Sequence, residues 1–166
     1  MCDDFCMNTL AIRKPNRLMG YDYSQNGAYF ITICVKDRRE LLWNVGATFG
    51  RPLCDHKHLS KYEEIYHSSV IIDKYVIMPN HVHMLIVLKN DDLENGRPKV
   101  APTISRIIQQ FKGSISKQIG SSIWQKLFHD HIIRNEQDYL EIWQYIDTNP
   151  IKWEEDCFYP KGTTNT

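Results

Sequence analysis

The sequence lacks several features that identify common classes of protein. It contains no run of about 18 apolar residues, so a membrane-spanning helix is not expected. The segment Met1–Arg17 is polar, has no apolar core and does not resemble a secretory signal. The motifs G-x-S-x-G, G-x-x-x-x-G-K and G-x-G-x-x-G are all missing. Nothing therefore supports a serine hydrolase, a P-loop protein or a dinucleotide-binding fold.

An ordered cysteine pattern is missing too. The five cysteines are irregularly spaced, and the short spacing from Cys2 to Cys6 is not followed by a second pair at zinc-ribbon distance. Scattered reduced thiols of this kind are typical of a cytoplasmic protein, which is the location we expect.

The chain has no net charge, because 20 basic residues balance 20 acidic ones. Nucleic-acid-binding proteins often have a basic excess instead. The distribution is uneven, however: Arg97–Lys126 contains basic residues and no acidic one, and Glu136–Asp156 is strongly acidic. This asymmetry predicts either a local basic surface or two ordinary solvated faces, and charge alone does not decide between them.

Hydrophobic patterning predicts the secondary structure of a single α+β domain. The predicted strands are Ala28–Lys36, Val70–Met78, His81–Leu88 and a short one near residues 131–134. The predicted helices follow a capping box at Ser60–Glu63, run from a Thr103 cap to Gly120, and run from Glu136 to about Asn149. This order favours an antiparallel sheet with helices packed on it. We expect a polar N-terminal segment (1–16), one domain (17–158) and a polar tail (159–166).

The most distinctive local pattern is His81-Val82-His83 in a predicted strand. Side chains two apart on a strand point to the same face, so both imidazoles converge on one patch. Neutral imidazoles are good ligands for divalent cations, although His-x-His also occurs by chance on exposed strands. Buried histidines in such an apolar strand need partners.

Tyr145 and Asn149 are four residues apart in the last predicted helix and therefore share a face. Tyr145 lies at the flank of the apolar stripe formed by Tyr139, Ile142, Trp143 and Ile146. It could present its hydroxyl to a cleft or simply cover the edge of the core. With nine tyrosines in the chain, helix position alone favours the second alternative.

Other polar residues have less specific patterns. His129, Asp130 and His131 could bind a second metal, although structural roles are more common for such residues. Arg134 could hold a phosphate or pair with a carboxylate of the acidic helix. Arg106, Lys112 and Lys117 lie in the basic stretch and could track a nucleic-acid backbone.

Four ordered blocks of the chain resemble the REP-associated tyrosine transposases, a family of HUH single-tyrosine transposases related to the insertion-sequence 200 group. Tyr75–Ile86 (YVIMPNHVHMLI) resembles the HUH motif, in which two histidines flank a bulky hydrophobic residue on a central strand. The other three blocks are Gly20–Arg39, Gly96–Gly113 and Trp124–Trp153. The resemblance covers most of the chain between Arg17 and Trp153.

The resemblance implies a ferredoxin-like HUH endonuclease fold and a set of roles. The tyrosine of the Tyr-Ile-x-x-Asn-Pro pattern, Tyr145, would be the nucleophile that forms a 5′-phosphotyrosine. Asn149 would complete a Mg²⁺ or Mn²⁺ site with His81 and His83. The substrate would be single-stranded DNA, often bearing a hairpin, and family members include monomers and homodimers. No membrane association is implied.

Two alternative functions remain open at this point. One is an HUH nickase of replication or mobilisation that uses the same chemistry, although the short chain has no helicase or other added domain. The other is a domesticated or non-catalytic module that binds single-stranded nucleic acid. The intact set of His81, His83, Tyr145 and Asn149 disfavours the non-catalytic alternative.

Overall fold

The computed structural model describes residues 20–42, 69–89 and 103–160. Within these ranges, four strands form one antiparallel sheet in the order β2–β3–β1–β4: β1 (Gly27–Cys34), β2 (Val70–Ile77), β3 (His81–Leu88) and β4 (His129–Ile133). Helix α1 (Ile104–Ile119) precedes β4, and helix α2 (Glu136–Thr148) follows it. The expected α+β fold is confirmed. The helix predicted after Ser60–Glu63 and the N-terminal segment lie outside the described residues.

The two helices cover opposite faces of the sheet. Successive side chains of a strand alternate between its faces, and the apolar residues of β3 therefore divide into two sets. One set packs with β1 and α1, and its buried members include Val82, Met84, Ile86, Tyr29, Ile31, Ile107 and Phe111. On the other face, Leu85 packs against Ile142 and Ile146 of α2. The α2 face is the one that carries His81 and His83.

The bounds of both helices agree with the predicted ones, and each helix begins at a side-chain cap. The side chain of Thr103 accepts a hydrogen bond from the Arg106 N–H at the start of α1, and Gly120 ends this helix with a φ of 79°. Such a left-handed conformation favours glycine. At the start of α2, Asn135 Oδ1 accepts from the Asp138 N–H at 2.8 Å. No helix in the described ranges is long and apolar enough to cross a membrane.

The turn between β2 and β3 is held by the chain that follows β1. The carbonyl of Asn80 accepts a hydrogen bond from the Val35 N–H at 2.8 Å, and that of Pro79 accepts from the Leu42 N–H at 2.9 Å. These bonds fix the start of β3 beside the end of β1, so His81 enters the sheet at a rigid position.

Candidate active site

His81 and His83 form a closely spaced, fully buried pair on the α2 face of β3. Their side chains are two residues apart in the strand, and the residues are 0% and 1% exposed. The two Nε2 atoms lie 3.0 Å apart. The structure therefore brings the imidazoles to one point, as the spacing predicts.

Burial keeps both histidines neutral. It lowers the pKa of His81 from 6.5 to about 3. The pKa of His83 is also held well below its ordinary value, by burial first and by the neighbouring His81 second. A neutral imidazole has a free nitrogen lone pair, which is the form that binds a metal ion.

We expect the free energy of unfolding to decrease as the pH falls below 6.5, the ordinary histidine pKa. Below that pH the unfolded chain binds protons that the folded protein excludes. The stability that depends on neutral His81 and His83 is therefore complete above the ordinary histidine pKa, and it is lost as the pH falls toward the pKa values of the folded protein. The slope is up to about 1.4 kcal/mol per pH unit for each histidine. Urea unfolding in EDTA between about pH 7.5 and about pH 5 measures it.

His131 provides the control for this pH dependence, because it is exposed and pairs with Asp138 at the surface. His131→Gln should retain the slope of the wild type. Equal stability of the wild type at both ends of the pH range would contradict the neutral burial of His81 and His83.

Helix α2 places Tyr145 beside the histidine pair. The hydroxyl of Tyr145 lies 3.3 Å from His83 Nε2, and the two rings meet at 65° with centroids 5.3 Å apart. Phe30 packs edge-on against the tyrosine ring from the sheet, with centroids 5.9 Å apart. The Tyr145 hydroxyl therefore faces the interior of the site rather than solvent.

Asn149 joins the same cluster through a residue that the sequence pattern did not reveal, Asp156. Asp156 follows a short 3-10 turn (Trp153–Glu155), and its Oδ2 accepts hydrogen bonds from Asn149 Nδ2 at 2.7 Å and from the Tyr145 hydroxyl at 3.3 Å. The same oxygen lies 4.0 Å from His81 Nε2. In the sequence Asp156 ends a run of three acidic residues that resembles a solvated surface, and no spacing rule relates it to the histidines.

The cluster has the ligands that a divalent cation needs. One ligand atom each from His81, His83 and Asp156 lies within 4.8 Å of the others, and all three residues are buried. Asn149 is 3% exposed, and its Oδ1 has no hydrogen-bond partner among the described residues. A buried oxygen without a donor suits a cation, and two imidazole nitrogens with carboxylate and amide oxygens form a mixed donor set that can bind a divalent ion.

Aromatic residues after α2 cover the histidines. The ring centroids of Phe158 and Trp153 lie 4.7 Å and 5.8 Å from that of His81. The carbonyl of Phe158 accepts a hydrogen bond from Asn80 Nδ2 at 2.8 Å, which ties this segment to the turn before β3. The segment therefore shields the imidazoles from bulk solvent.

The basic residues predicted to contact DNA are not part of this cluster. Arg106 and Lys117 are exposed on α1, which covers the opposite face of the sheet, and Arg134 is exposed at the end of β4. Lys112 Nζ donates to the carbonyls of Gln125 and Leu127, and burial lowers its pKa to about 8. The structure thus assigns Lys112 a structural contact, and DNA contacts by the other three stay predictions.

The second metal site considered at residues 129–131 is not formed within the described part of the chain. His131 Nε2 pairs with Asp138 at 2.8 Å on the surface, and Asp130 Oδ2 accepts from the Tyr23 hydroxyl at 2.6 Å on the other face of the sheet. The described residues contain a single group of three potential metal ligands, the His81 cluster.

The described residues place paired histidines on an inner strand of an antiparallel sheet, opposite a helical tyrosine, as the resemblance to HUH proteins implies. No protein-family model matches the chain. A Haemophilus influenzae protein of uncharacterised function is 33% identical over 172 aligned positions, which cover 89% of this chain and 93% of that protein. The REP-associated tyrosine transposase of Escherichia coli is 26% identical, over 78% of this chain and 70% of its own length.

A solved structure agrees with the sequence relatives. The structure of a REP-associated tyrosine transposase bound to a REP hairpin superimposes with a TM-score of 0.60 at 25% identity, covering 82% of this chain and 74% of that one. The chain is thus similar in sequence and in fold to proteins named REP-associated tyrosine transposases.

Proposed function

We propose that this protein is a metal-dependent DNA strand transferase that cuts single-stranded DNA with Tyr145 as its nucleophile. The observation that carries the proposal is the position of the Tyr145 hydroxyl, 3.3 Å from His83 Nε2 and 3.3 Å from Asp156 Oδ2. This hydroxyl lies beside a set of cation ligands and a proton acceptor, the two surroundings that make a phenol a useful nucleophile. Similarity to REP-associated tyrosine transposases supports DNA as the substrate.

In the proposed reaction, the Tyr145 oxygen attacks the scissile phosphorus. A bond forms between this oxygen and phosphorus, the bond from phosphorus to the 3′ oxygen breaks, and the 5′ phosphate stays on the tyrosine. The phenolic proton passes to Asp156 Oδ2, which already accepts its hydrogen bond. The departing 3′ oxygen takes a proton from water. Because one phosphodiester replaces another, the 3′ hydroxyl can later reverse the reaction without an external energy source.

His81, His83 and Asn149 are the proposed ligands of Mg²⁺ or Mn²⁺, with Asp156 as a further oxygen donor. A bound cation supplies Lewis-acid polarisation of the scissile phosphate. The chain itself keeps the two imidazoles neutral, holds the tyrosine beside them and excludes bulk water with the aromatic segment after α2.

The direct test is a covalent-adduct assay. The protein is incubated with Mn²⁺ or Mg²⁺ and a library of single-stranded hairpins with randomised stems and flanks, labelled at either end. A 3′ label should remain with the protein on a denaturing gel, while a 5′ label should appear on a released fragment with a free 3′ hydroxyl. Fully duplex DNA of the same composition serves as the control substrate.

Other outcomes of this assay would identify other functions. Binding without a cleavage product would favour a non-catalytic nucleic-acid module, and cleavage confined to one replication or transfer origin would favour a nickase. Retention of the 5′ label on the protein would contradict the proposed polarity of attack.

Replacing the two oxygen donors should weaken cation binding. We expect Asn149→Ala and Asp156→Asn each to lower Mn²⁺ affinity by about 10-fold or more, because each removes an oxygen ligand or the charge on one. Isothermal titration calorimetry with MnCl₂ measures the change. Asp138→Asn is the matched control, since this carboxylate pairs with His131 at the surface. If one of the two variants binds Mn²⁺ as the wild type does, that residue is not a ligand.

A further inference from the structure

Each histidine of the pair has a buried hydrogen-bond partner on its outer nitrogen. Asn80 Oδ1 lies 2.8 Å from His81 Nδ1, and Thr32 Oγ1 lies 2.8 Å from His83 Nδ1. Thr32 is the direct cross-strand neighbour of His83 in β1. Such partners determine which ring nitrogen carries the proton, and therefore which nitrogen can bind a cation.

The side-chain amide of Asn80 has only one acceptable orientation. Its Nδ2 lies 2.8 Å from the carbonyl oxygen of Phe158 and 3.2 Å from that of Arg38. Carbonyl oxygens only accept hydrogen bonds, so the amide group facing them must be the NH₂. The opposite orientation would bring the Asn80 oxygen against two other oxygens. Asn80 Oδ1 therefore faces His81 as an acceptor, and His81 Nδ1 must carry a proton.

When no cation is bound, the single proton of the neutral His83 ring lies on Nε2, whereas that of His81 lies on Nδ1. The two Nε2 atoms are 3.0 Å apart, a distance that requires one proton between them. His81 Nε2 has none, because a neutral imidazole carries a single proton and that of His81 is on Nδ1. His83 Nε2 must then be the donor, and its Nδ1 accepts from the Thr32 hydroxyl. A hydroxyl can also accept, so Thr32 can satisfy either form of His83.

We infer that Asn80 and Thr32 are positioning residues that set opposite tautomers of the two histidines: Asn80 locks His81 with Nε2 free, and Thr32 permits His83 to change tautomer when a cation binds. In that change one proton leaves His83 Nε2 to water and one is taken from water at Nδ1, so the imidazole stays neutral. Thr32 then accepts from Nδ1 instead of donating to it. The tautomer change of His83 beside Thr32 rests on the proposed metal site. The tautomers assigned to the metal-free protein do not depend on that site.

The tautomers can be read directly by long-range ¹H–¹⁵N correlation spectra of the histidine rings in EDTA. The spectra should show the Nδ1–H form for His81 and the Nε2–H form for His83. Asn80→Ala should convert His81 to a mixture of both forms. A His81 that carries its proton on Nε2 in the wild type would overturn the inference, and so would a folded Asn80→Ala variant with unchanged His81 signals.

Addition of ZnCl₂, a diamagnetic ion that binds imidazole nitrogen, tests the change at His83. The Nε2–H signal of His83 should be replaced by an Nδ1–H signal, while His81 keeps its proton on Nδ1. In calorimetry with MnCl₂, Thr32→Val should bind about 10- to 100-fold more weakly, because valine offers no acceptor to a buried Nδ1–H. Thr32→Ser, which keeps the hydroxyl, should bind within about threefold of the wild type.

Each part of the inference fails by a different result. Wild-type Mn²⁺ affinity in Thr32→Val would overturn the role of Thr32. Failure of the wild type to bind either ion, with the opposite tautomers present, would overturn the proposed metal site and with it the tautomer change at His83. The tautomer assignment through Asn80 would stand in that case.

Discussion

Replacing Tyr145 with phenylalanine is expected to eliminate the covalent protein–DNA adduct and to lower strand cleavage by on the order of 10³-fold or more. Phenylalanine keeps the ring that packs against Phe30 and His83, so the fold and the histidine pair should be preserved. It removes the oxygen that would bond to phosphorus. The measurement is adduct formation from the 3′-labelled hairpin library at saturating Mn²⁺.

Tyr139 provides the matched control for this substitution. It lies on the same helix, but its hydroxyl bonds to Asp73 at the sheet edge, away from the histidines. Tyr139→Phe should therefore form the adduct at the wild-type rate. An adduct of undiminished yield in Tyr145→Phe would show that another residue is the nucleophile and would overturn the proposed mechanism.

Local features of the fold could be predicted because they depend on short stretches of sequence. The alternation in β3 fixes which residues share a face, so the convergence of His81 and His83 follows from a period of two. The caps at Thr103 and Asn135 likewise depend on side chains three residues from the groups that they bind. The bounds of β3 also agree with the prediction. Strand β1 was predicted to reach Lys36 but ends at Cys34.

The relative positions of distant elements could not be predicted in this way. The apolar stripe of α1 shows which side of the helix is buried, but it does not show which face of the sheet receives it. The sequence pattern therefore predicted that basic side chains of α1 could track a nucleic-acid backbone, but it did not show that α1 covers the face opposite His81. The placement of β1 between β3 and β4 is another long-range pairing without a local signal.

The candidate site was predictable in part for the same physical reason. Helical spacing relates Tyr145 to Asn149, but only the family resemblance distinguished Tyr145 from the other tyrosines. Asp156 reaches Asn149 and Tyr145 through the turns that follow α2, and no periodicity in the sequence predicts such turns. Asn80 is adjacent to the histidine motif in sequence, yet its importance depends on the Arg38 and Phe158 carbonyls, which come from distant parts of the chain.

Replacing His83 with glutamine is expected to lower Mn²⁺ affinity by about 100-fold or more and to reduce cleavage in parallel at limiting Mn²⁺. Glutamine fills much of the buried space and can still bond to Thr32, but it offers no imidazole lone pair beside His81. Removal of the cation from the wild type with EDTA should produce the same loss of cleavage, and added Mn²⁺ should restore it.

His131→Gln is the control that separates loss of a ligand from loss of a histidine on the sheet. His131 lies on the α2 face of β4 but is exposed and pairs with Asp138, so its replacement should change neither Mn²⁺ affinity nor cleavage. Two results would contradict the metal-dependent mechanism: wild-type cleavage by His83→Gln at limiting Mn²⁺, and adduct formation by the wild type in excess EDTA. If adducts form in EDTA and still require Tyr145, the tyrosine would remain the nucleophile, and the buried imidazoles would act on the phosphate without a cation.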